Sequence, residues 1–351
     1  MRHVDPATGT CPAPVPETER VLLGHGSGGR LSAELIGQVL VPALGAAAPG
    51  GPLEDAAVVR VGESDLALST DAYVVDPLFF PGGDIGSMAV HGTVNDLAMR
   101  AAMPVALTVA YVVEEGLPLA VLRSVAESAG AAAAAAGVPI VTGDTKVVGR
   151  GAADQLFVIT AGLGRRLPGA APSVAAARPG DAVLLSGPIG AHGVTVLSTR
   201  EGLGFEADLV TDSRPLHRLV AAMVAAGGDA VHALRDPTRG GLASALNEIA
   251  AASGVGVEID ERVLPVPEPV RAACEMLGLD PAYVANEGCL VAFVAEDRAD
   301  EVLAAMRARP EGDQAVRIGT ACTDGPVVVR TPVGSRRVLD VLLGEQLPRI
   351  C

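Results

Sequence analysis

Trp is absent from this chain and aromatic residues make up 2% of it, yet 49% of its residues are hydrophobic. The interior therefore has to be assembled from Ala, Val, Leu and Ile. Such side chains suit stacked layers of helix and sheet, so the expected class is a two-domain α/β and α+β protein. At 351 residues the chain is too long for one simple core and fits two domains of ordinary size. The 42 Gly and 26 Pro imply many tight turns, without a collagen-like period.

Apolar runs and breakers divide the chain. Residues 1–20 are polar and Pro-rich, lack the apolar stretch of a signal peptide, and read as a disordered extension. Val21–Gly29 is an apolar strand running into a Gly-rich loop, and a helix follows with apolar residues at 31, 35, 36, 39 and 40. Strands are expected at Ala56–Val61, Leu66–Ser69, Pro104–Val113 and Leu156–Ala161, with a buried strand at Val138–Thr142. Asp84 is placed to cap a helix through Met99, and Pro118 to start one that continues to Ala136. A Pro/Gly/Ala-rich stretch at 165–180 separates a domain at 21–165 from a second at 175–340. The second half alternates again, with strands at 182–185, 255–260, 289–295, 315–320 and 326–331. Its helices are expected at 189–200, 215–226, 239–252, 267–277 and 297–308. Residues 341–351 carry no helical or alternating pattern and read as a flexible tail.

A net charge of −15 argues against a nucleic-acid partner, which needs a basic patch. A nucleotide can still bind if Mg²⁺ and backbone N–H groups meet its phosphates. No apolar run approaches the ~18 residues of a membrane span, so a cytoplasmic protein is expected. Five cysteines, at 11, 274, 289, 322 and 351, form an odd set without a CxxC pair, which argues against zinc and disulfide frameworks. Cys274, Cys289 and Cys322 lie in apolar surroundings and read as small core residues. Of 26 basic residues only Lys146 is lysine, which suggests a site that needs an ammonium rather than a guanidinium.

Several Asp stand at strand ends or loop edges: Asp55, Asp71, Asp96, Asp144 and Asp236. Each alone serves as well as a turn or cap residue. Together they suit a metal–nucleotide site, because Mg²⁺ takes hard oxygen ligands, usually one or two carboxylates plus phosphate oxygens. The loop Gly24–Gly29 is either a tight turn or a phosphate cradle with the next helix dipole behind it. Glu287, in Asn286-Glu287-Gly288, is either a turn residue or a base aimed into a cleft. Cys351 ends the chain in Pro348-Arg349-Ile350-Cys351 and has no packing role to explain it, nor the spacing of a prenylation box. At about 3.3 Å per residue its tail spans roughly 30 Å, enough to reach a cleft in its own domain or a partner's.

Together these segments resemble the HypE family, the carbamoyl dehydratases of [NiFe]-hydrogenase cyanide-ligand assembly. The matching stretches are His25–Gly29, Ser69–Asp71, Asp76–Gly83, Gly92–Asp96, Gly143–Val148, Arg235–Gly241, Asn286–Gly288 and Pro348–Cys351. Glu54 replaces the first Asp of the usual Asp-Asp-Ala, which leaves Asp55 as the residue carried over. The resemblance implies an aminoimidazole ribonucleotide synthetase-like fold, an N-terminal domain that pairs across a homodimer, and ATP bound between domains. It implies Mg²⁺ on Asp55, Asp71, Asp96 and Asp236. Nucleotide contacts would come from Gly26, Ser27, Gly28, Gly29, Asp71, Asn95, Asp144, Thr145 and Arg239. Cys351 would carry the carbamoyl group, with Glu287 as base and Lys146 stabilising phosphate charge or sharing the proton chemistry. The implied partners are the carbamoyltransferase HypF as donor and a HypC–HypD scaffold as acceptor of the cyano group. The alternatives are a selenophosphate synthetase-like or thiamine monophosphate kinase-like enzyme, neither of which explains Cys351, and a non-catalytic thiol carrier.

Overall fold

The computed structural model describes residues 20–26, 28–48, 50–203, 209–342 and 349–351. The expected extension, apart from Arg20, and Cys11 lie outside them, as does Ser27. In chain order the strands are β1 (Ala57–Val61), β2 (Ser64–Tyr73), β3 (Phe79–Phe80), β4 (Gly83–Asp84), β5 (Ala102–Glu114), β6 (Ile140–Val148), β7 (Leu156–Arg166), β8 (Ala182–Leu185), β9 (Val231–Arg235), β10 (Gly256–Asp260), β11 (Val291–Val294), β12 (Val316–Cys322), β13 (Val327–Arg330) and β14 (Arg336–Val338). The helices are α1 (Arg30–Glu34), α2 (Val41–Leu44), α3 (Ile85–Met99), α4 (Leu119–Ala136), α5 (Ala191–Arg200), α6 (His217–Gly227), α7 (Gly241–Ser253), α8 (Glu268–Leu277) and α9 (Ala299–Arg307).

Two sheets organise these elements. The first runs β1-β2-β7-β5-β6, antiparallel except for the β5–β6 pair. The second runs β14-β13-β10-β12-β8-β11-β9, with β10 and β13 parallel. Most elements expected from periodicity are present, apart from shifts at their ends; the apolar strand expected from Val21 is not, since Leu23–Gly26 forms a 3-10 turn. Among those not expected are β9 and β14: the short apolar run of β9 is broken by His232 and ends in Arg235, and β14 is short and Arg-rich. A second expectation fails in kind. The strand after Val138 is not buried; β6 is an edge strand exposed along nearly its whole length, with Val141 60% and Val147 70% accessible. An apolar run has the same sequence whether its own core or another surface covers it.

Helix α3 is the central pillar. Asp84 caps it, accepting from Gly86 N at 2.6 Å and Ser87 N at 3.0 Å, while its own N–H donates to Ser87 Oγ at 3.1 Å. The helix is buried nearly all round, as expected of a core helix rather than an amphipathic surface one. It packs on β2, β5 and β7, on α4, and through Ala98 and Met99 into the second core beside Leu184, Leu216 and Leu219. Helix α4 has the length and mean hydropathy of a membrane span. It carries Arg123 and Glu127, however, and lays Ala129, Ala132, Ala133 and Ala136 against Val90 and Val94 of α3.

Glu54 has a structural place. Its Oε1 pairs with Arg100 Nη1 at 2.5 Å and accepts from Ser173 Oγ at 2.5 Å, and its Oε2 accepts from Val174 N at 3.2 Å. That ties the end of α3 to the chain leading into the second sheet. Removing one member of a mostly buried ion pair strands the other, so Glu54→Ala is expected to lower the unfolding free energy in urea by about 3 kcal/mol. Arg60→Ala, which breaks an exposed pair with Asp65, is expected to cost less than about 1 kcal/mol in the same measurement.

Candidate active site

Strand ends from both sheets and the middle of α3 bring acidic side chains to one place. Asp55 precedes β1, Asp71 lies in β2, Asp96 in α3, and Asp236 follows β9. Asp55, Asp96 and Asp236 each offer a carboxylate oxygen within 4.8 Å of the others. A small cleft of about 30 Å³ is lined by Asp71, Asp96, Asp236, Arg239, Glu287 and Cys351, among others. That volume admits a group of a few atoms, not a nucleotide.

Burial without full compensation sets the electrostatics. Asp55 Oδ1 pairs with Arg235 Nη1 at 2.7 Å, while Asp55 Oδ2 is buried with no hydrogen-bond partner among the described residues. Arg235 also pairs with Glu248 at 2.6 Å. Desolvation raises the Asp55 carboxyl well above the usual carboxylate range, against the pull of Arg235. Burial also raises Asp96, with Asp236 and Asp55 adding repulsion, although Ser69 Oγ donates to it at 2.5 Å. Asp236 is pushed up to about 6, again chiefly by burial. Converging carboxylates with an orphaned buried oxygen are the donor set of a hard divalent cation, and they fit Mg²⁺.

Glu287 is 3% accessible, and burial, then Asp236, Asp212 and Asp71, raise its pKa well above the usual value. Such a carboxyl is suited to taking a proton near neutral pH. Its backbone is clamped. Glu287 N and Gly288 N donate to the two oxygens of Asp212 at 3.1 and 3.0 Å. A Cβ at position 288 would lie 1.7 Å from the Asp212 carbonyl oxygen, so only Gly fits there. Asn95 donates to the Glu287 carbonyl at 3.2 Å and the Arg214 carbonyl at 3.1 Å, and accepts from Leu216 N at 2.8 Å. Asn95 was expected to contact nucleotide. Its amide is instead spent positioning Glu287, because it sits on the buried face of α3.

The end of the tail is docked rather than loose. Arg349 pairs with Asp154 and, at 3.3 Å, with Asp76. Its carbonyl accepts from Asp76 N at 3.2 Å and Arg200 Nη2 at 2.5 Å. Ile350 is 3% accessible in an apolar cluster with Tyr73, Val75 and Leu78. The Ile350 carbonyl can only accept, so His192 Nε2 carries the hydrogen at 3.0 Å, and Nδ1 accepts from Thr211 Oγ1 at 2.8 Å. Burial keeps His192 neutral by lowering its pKa. Cys351 is thereby held in the acidic cleft. Its charge is the largest influence holding the Arg239 guanidinium protonated, and Asp71 and Glu287 add to it. Residues 343–348 of the tail lie outside the described residues.

Other expected site residues fall elsewhere. Gly26 meets the site only through Arg239, whose Nη1 donates to its carbonyl at 3.0 Å. Gly28 N donates to Ser32 Oγ at 2.9 Å, and neither Gly28 nor Gly29 lines the cleft. Asp144, Thr145 and Lys146 do not line the cleft either. They stand exposed on β6, with Lys146 Nζ paired to Asp144 at 2.7 Å, and this chain's own fold does not bring them to the cleft. The reason is topological, since β6 is the last strand of its sheet. Asp212, Arg235, Glu248 and His192 were given no role from sequence. Each sits in a loop, a helix or, for Arg235, a strand end whose local pattern is ordinary.

Family models describe both halves of the chain. Residues 53–166 match the AIR synthase related protein N-terminal domain, and residues 178–331 match the corresponding C-terminal domain. The carbamoyl dehydratase HypE of Azotobacter vinelandii is 54% identical over 332 residues, covering 93% of this chain and 96% of that protein. Among solved structures, a HypE–HypF complex superposes with a TM-score of 0.83 at 44% identity, covering 88% of this chain and 99% of that one. HypE in complex with ATP superposes with a TM-score of 0.79 at 47% identity, covering 95% and 100%. Similarity of this degree, running the length of both sheets, makes the chain a member of the HypE family of carbamoyl dehydratases.

Proposed function

We propose that this protein uses ATP to dehydrate a carbamoyl group carried on Cys351 Sγ, leaving an S-cyano group destined for the iron of a [NiFe]-hydrogenase. The observation that carries the reading is the docked tail, which puts Cys351 in one small cleft with Glu287 and three carboxylates. A carbamoyl oxygen is a poor leaving group. Taking the γ-phosphoryl group of ATP makes it a good one, as Glu287 removes one N–H proton. Loss of phosphate with the second N–H proton then leaves C≡N on sulfur, beside ADP. Mg²⁺, held by Asp55, Asp71, Asp96 and Asp236, would neutralise charge on the transferring phosphoryl group. Arg239, the cation of the cleft, would steady the phosphate. ATP would lie outside the cleft proper, which is too small for it, with the Gly-rich loop at 24–29 beside Arg239.

In this reading residues 21–165 serve dimerisation and ATP binding, 175–340 close the cleft, and 341–351 carry the substrate. The relative solved with HypF supports HypF as carbamoyl donor. A HypC–HypD scaffold is the proposed acceptor, with neither nucleic acid nor membrane involved. Cytoplasm is the proposed compartment. The first sheet leaves Val59, Val61 and Leu68 exposed on β1 and β2, with Ile140, Val141 and Val147 on β6. A second copy of the same sheet is the proposed cover, as a homodimer. Lys146 and Asp144, on that exposed strand, would then act in the partner's cleft.

Intact-mass analysis of carbamoyl-loaded protein with Mg-ATP is expected to show loss of one water at Cys351. Glu287→Gln is expected to slow that loss by at least about 100-fold, the scale of a lost general base, with ATP binding kept. An adduct that stays carbamoylated without ADP formation would falsify the dehydratase and leave the carrier. Mixing Lys146→Ala and Cys351→Ala copies is expected to restore turnover that neither has alone. Mixtures as inactive as their parents would place Lys146 outside the partner's cleft.

The raised Asp236 gives a pH signature. Its folded pKa of about 6 exceeds the ordinary 3.8, so the folded state binds the proton more tightly. The stability this lends is whole below the ordinary value and is lost as pH climbs through the folded one. In metal-free buffer the thermal midpoint is therefore expected to fall between about pH 5 and pH 7, and added Mg²⁺ to restore it most at the higher pH.

A further inference from the structure

Tyr73, the last residue of β2, is 2% accessible, and its Oη is buried without a hydrogen-bond partner among the described residues. Buried phenolic hydroxyls ordinarily find one. Thr93 on α3, the neighbouring hydroxyl, is engaged with Thr160 at 2.5 Å, either oxygen serving as donor. The orphaned hydroxyl also has a place made for it. A Cβ at Gly92, in the interior of α3, would lie 2.1 Å from Tyr73 Oη. Glycine inside a helix costs about 1 kcal/mol relative to alanine. Here it gives the phenol room. Tyr73 lines the cleft that holds Glu287 and Cys351, and it shares an apolar cluster with the Cys351 side chain.

The lining groups divide by what they can exchange. Ionised carboxylates only accept hydrogen bonds and the guanidinium of Arg239 only donates, whereas a hydroxyl does both. A carbamoyl group on Cys351 Sγ presents one acceptor oxygen and two N–H hydrogens. Glu287 can take only one of those hydrogens at a time, and the oxygen must stay open to phosphorus.

Building on the dehydratase reading, we infer that Tyr73 is a catalytic residue that grips the carbamoyl group on Cys351, its hydroxyl oxygen accepting the N–H that does not face Glu287. Tyr73 neither gains nor loses a proton, and no bond to it forms or breaks. It fixes the planar group so that the oxygen faces the entering phosphoryl group and the other N–H faces Glu287. The accepted hydrogen bond also pushes electron density toward that oxygen.

The test is Tyr73→Phe in the full chain, with Cys351 carbamoylated by potassium cyanate and followed through one turnover with Mg-ATP by mass spectrometry of the C-terminal peptide. The hydroxyl has no partner to lose before loading, so the variant is expected to melt at or above the wild-type temperature and to bind ATP equally well. Its water-loss rate is expected to fall at least about 10-fold, one hydrogen bond's worth. Equal rates in the two proteins would overturn the inference and leave the dehydratase reading standing. A slower rate accompanied by a lower melting temperature would assign Tyr73 to packing and likewise overturn it. No water loss in wild-type protein would sink the dehydratase reading and this inference with it.

Discussion

Mutual repulsion among buried carboxylates is the constraint around which this molecule is arranged. Asp55, Asp96 and Asp236 converge, with Asp71 and Glu287 on the same cleft. Ionised carboxylates out of water repel strongly, so their pKa values rise until protons or a cation relieve them. The fold supplies part of the relief through Arg235, set between Asp55 and Glu248. The remainder is left for a ligand, which explains a buried carboxylate oxygen with no partner.

Holding such a cluster together requires rigid supports. Helix α3 is the chief one, buried nearly all round and fixed by the Asp84 capping box. It carries Asp96 into the site and uses Asn95 to hold the Glu287 backbone. The second clamp on Glu287 is Asp212, from a loop far away in sequence. The tail reaches the same place through backbone carbonyls as much as side chains, with Arg200 and His192 as donors. Recognition through carbonyls fixes the path of the chain, and hence where Cys351 stands.

Much of the fold could be read beforehand. Helical periodicity and capping residues marked α3 to α9, and apolar runs marked the longer strands, because those signals are local. β9 escaped because it is short and its apolar run is broken by His232 and Arg235. The status of β6 escaped for a different reason: Ile140 and Val141 are as apolar as any core residues, and only the sheet order reveals that they stay exposed among the described residues.

By itself the sequence determined which chemical groups were available: carboxylates at strand ends, a glutamate before a glycine, one lysine, and a cysteine at the terminus. These follow from residue type and spacing, and so did the family. Only the tertiary structure decided which groups meet. It drew Asp55, Asp96, Asp236, Glu287 and Cys351 together, sent Lys146 to an exposed edge, turned Asn95 into a support and left Tyr73 with an unspent hydroxyl. Such outcomes depend on contacts between residues far apart in the chain, and no local pattern encodes the distance between two ends of different sheets.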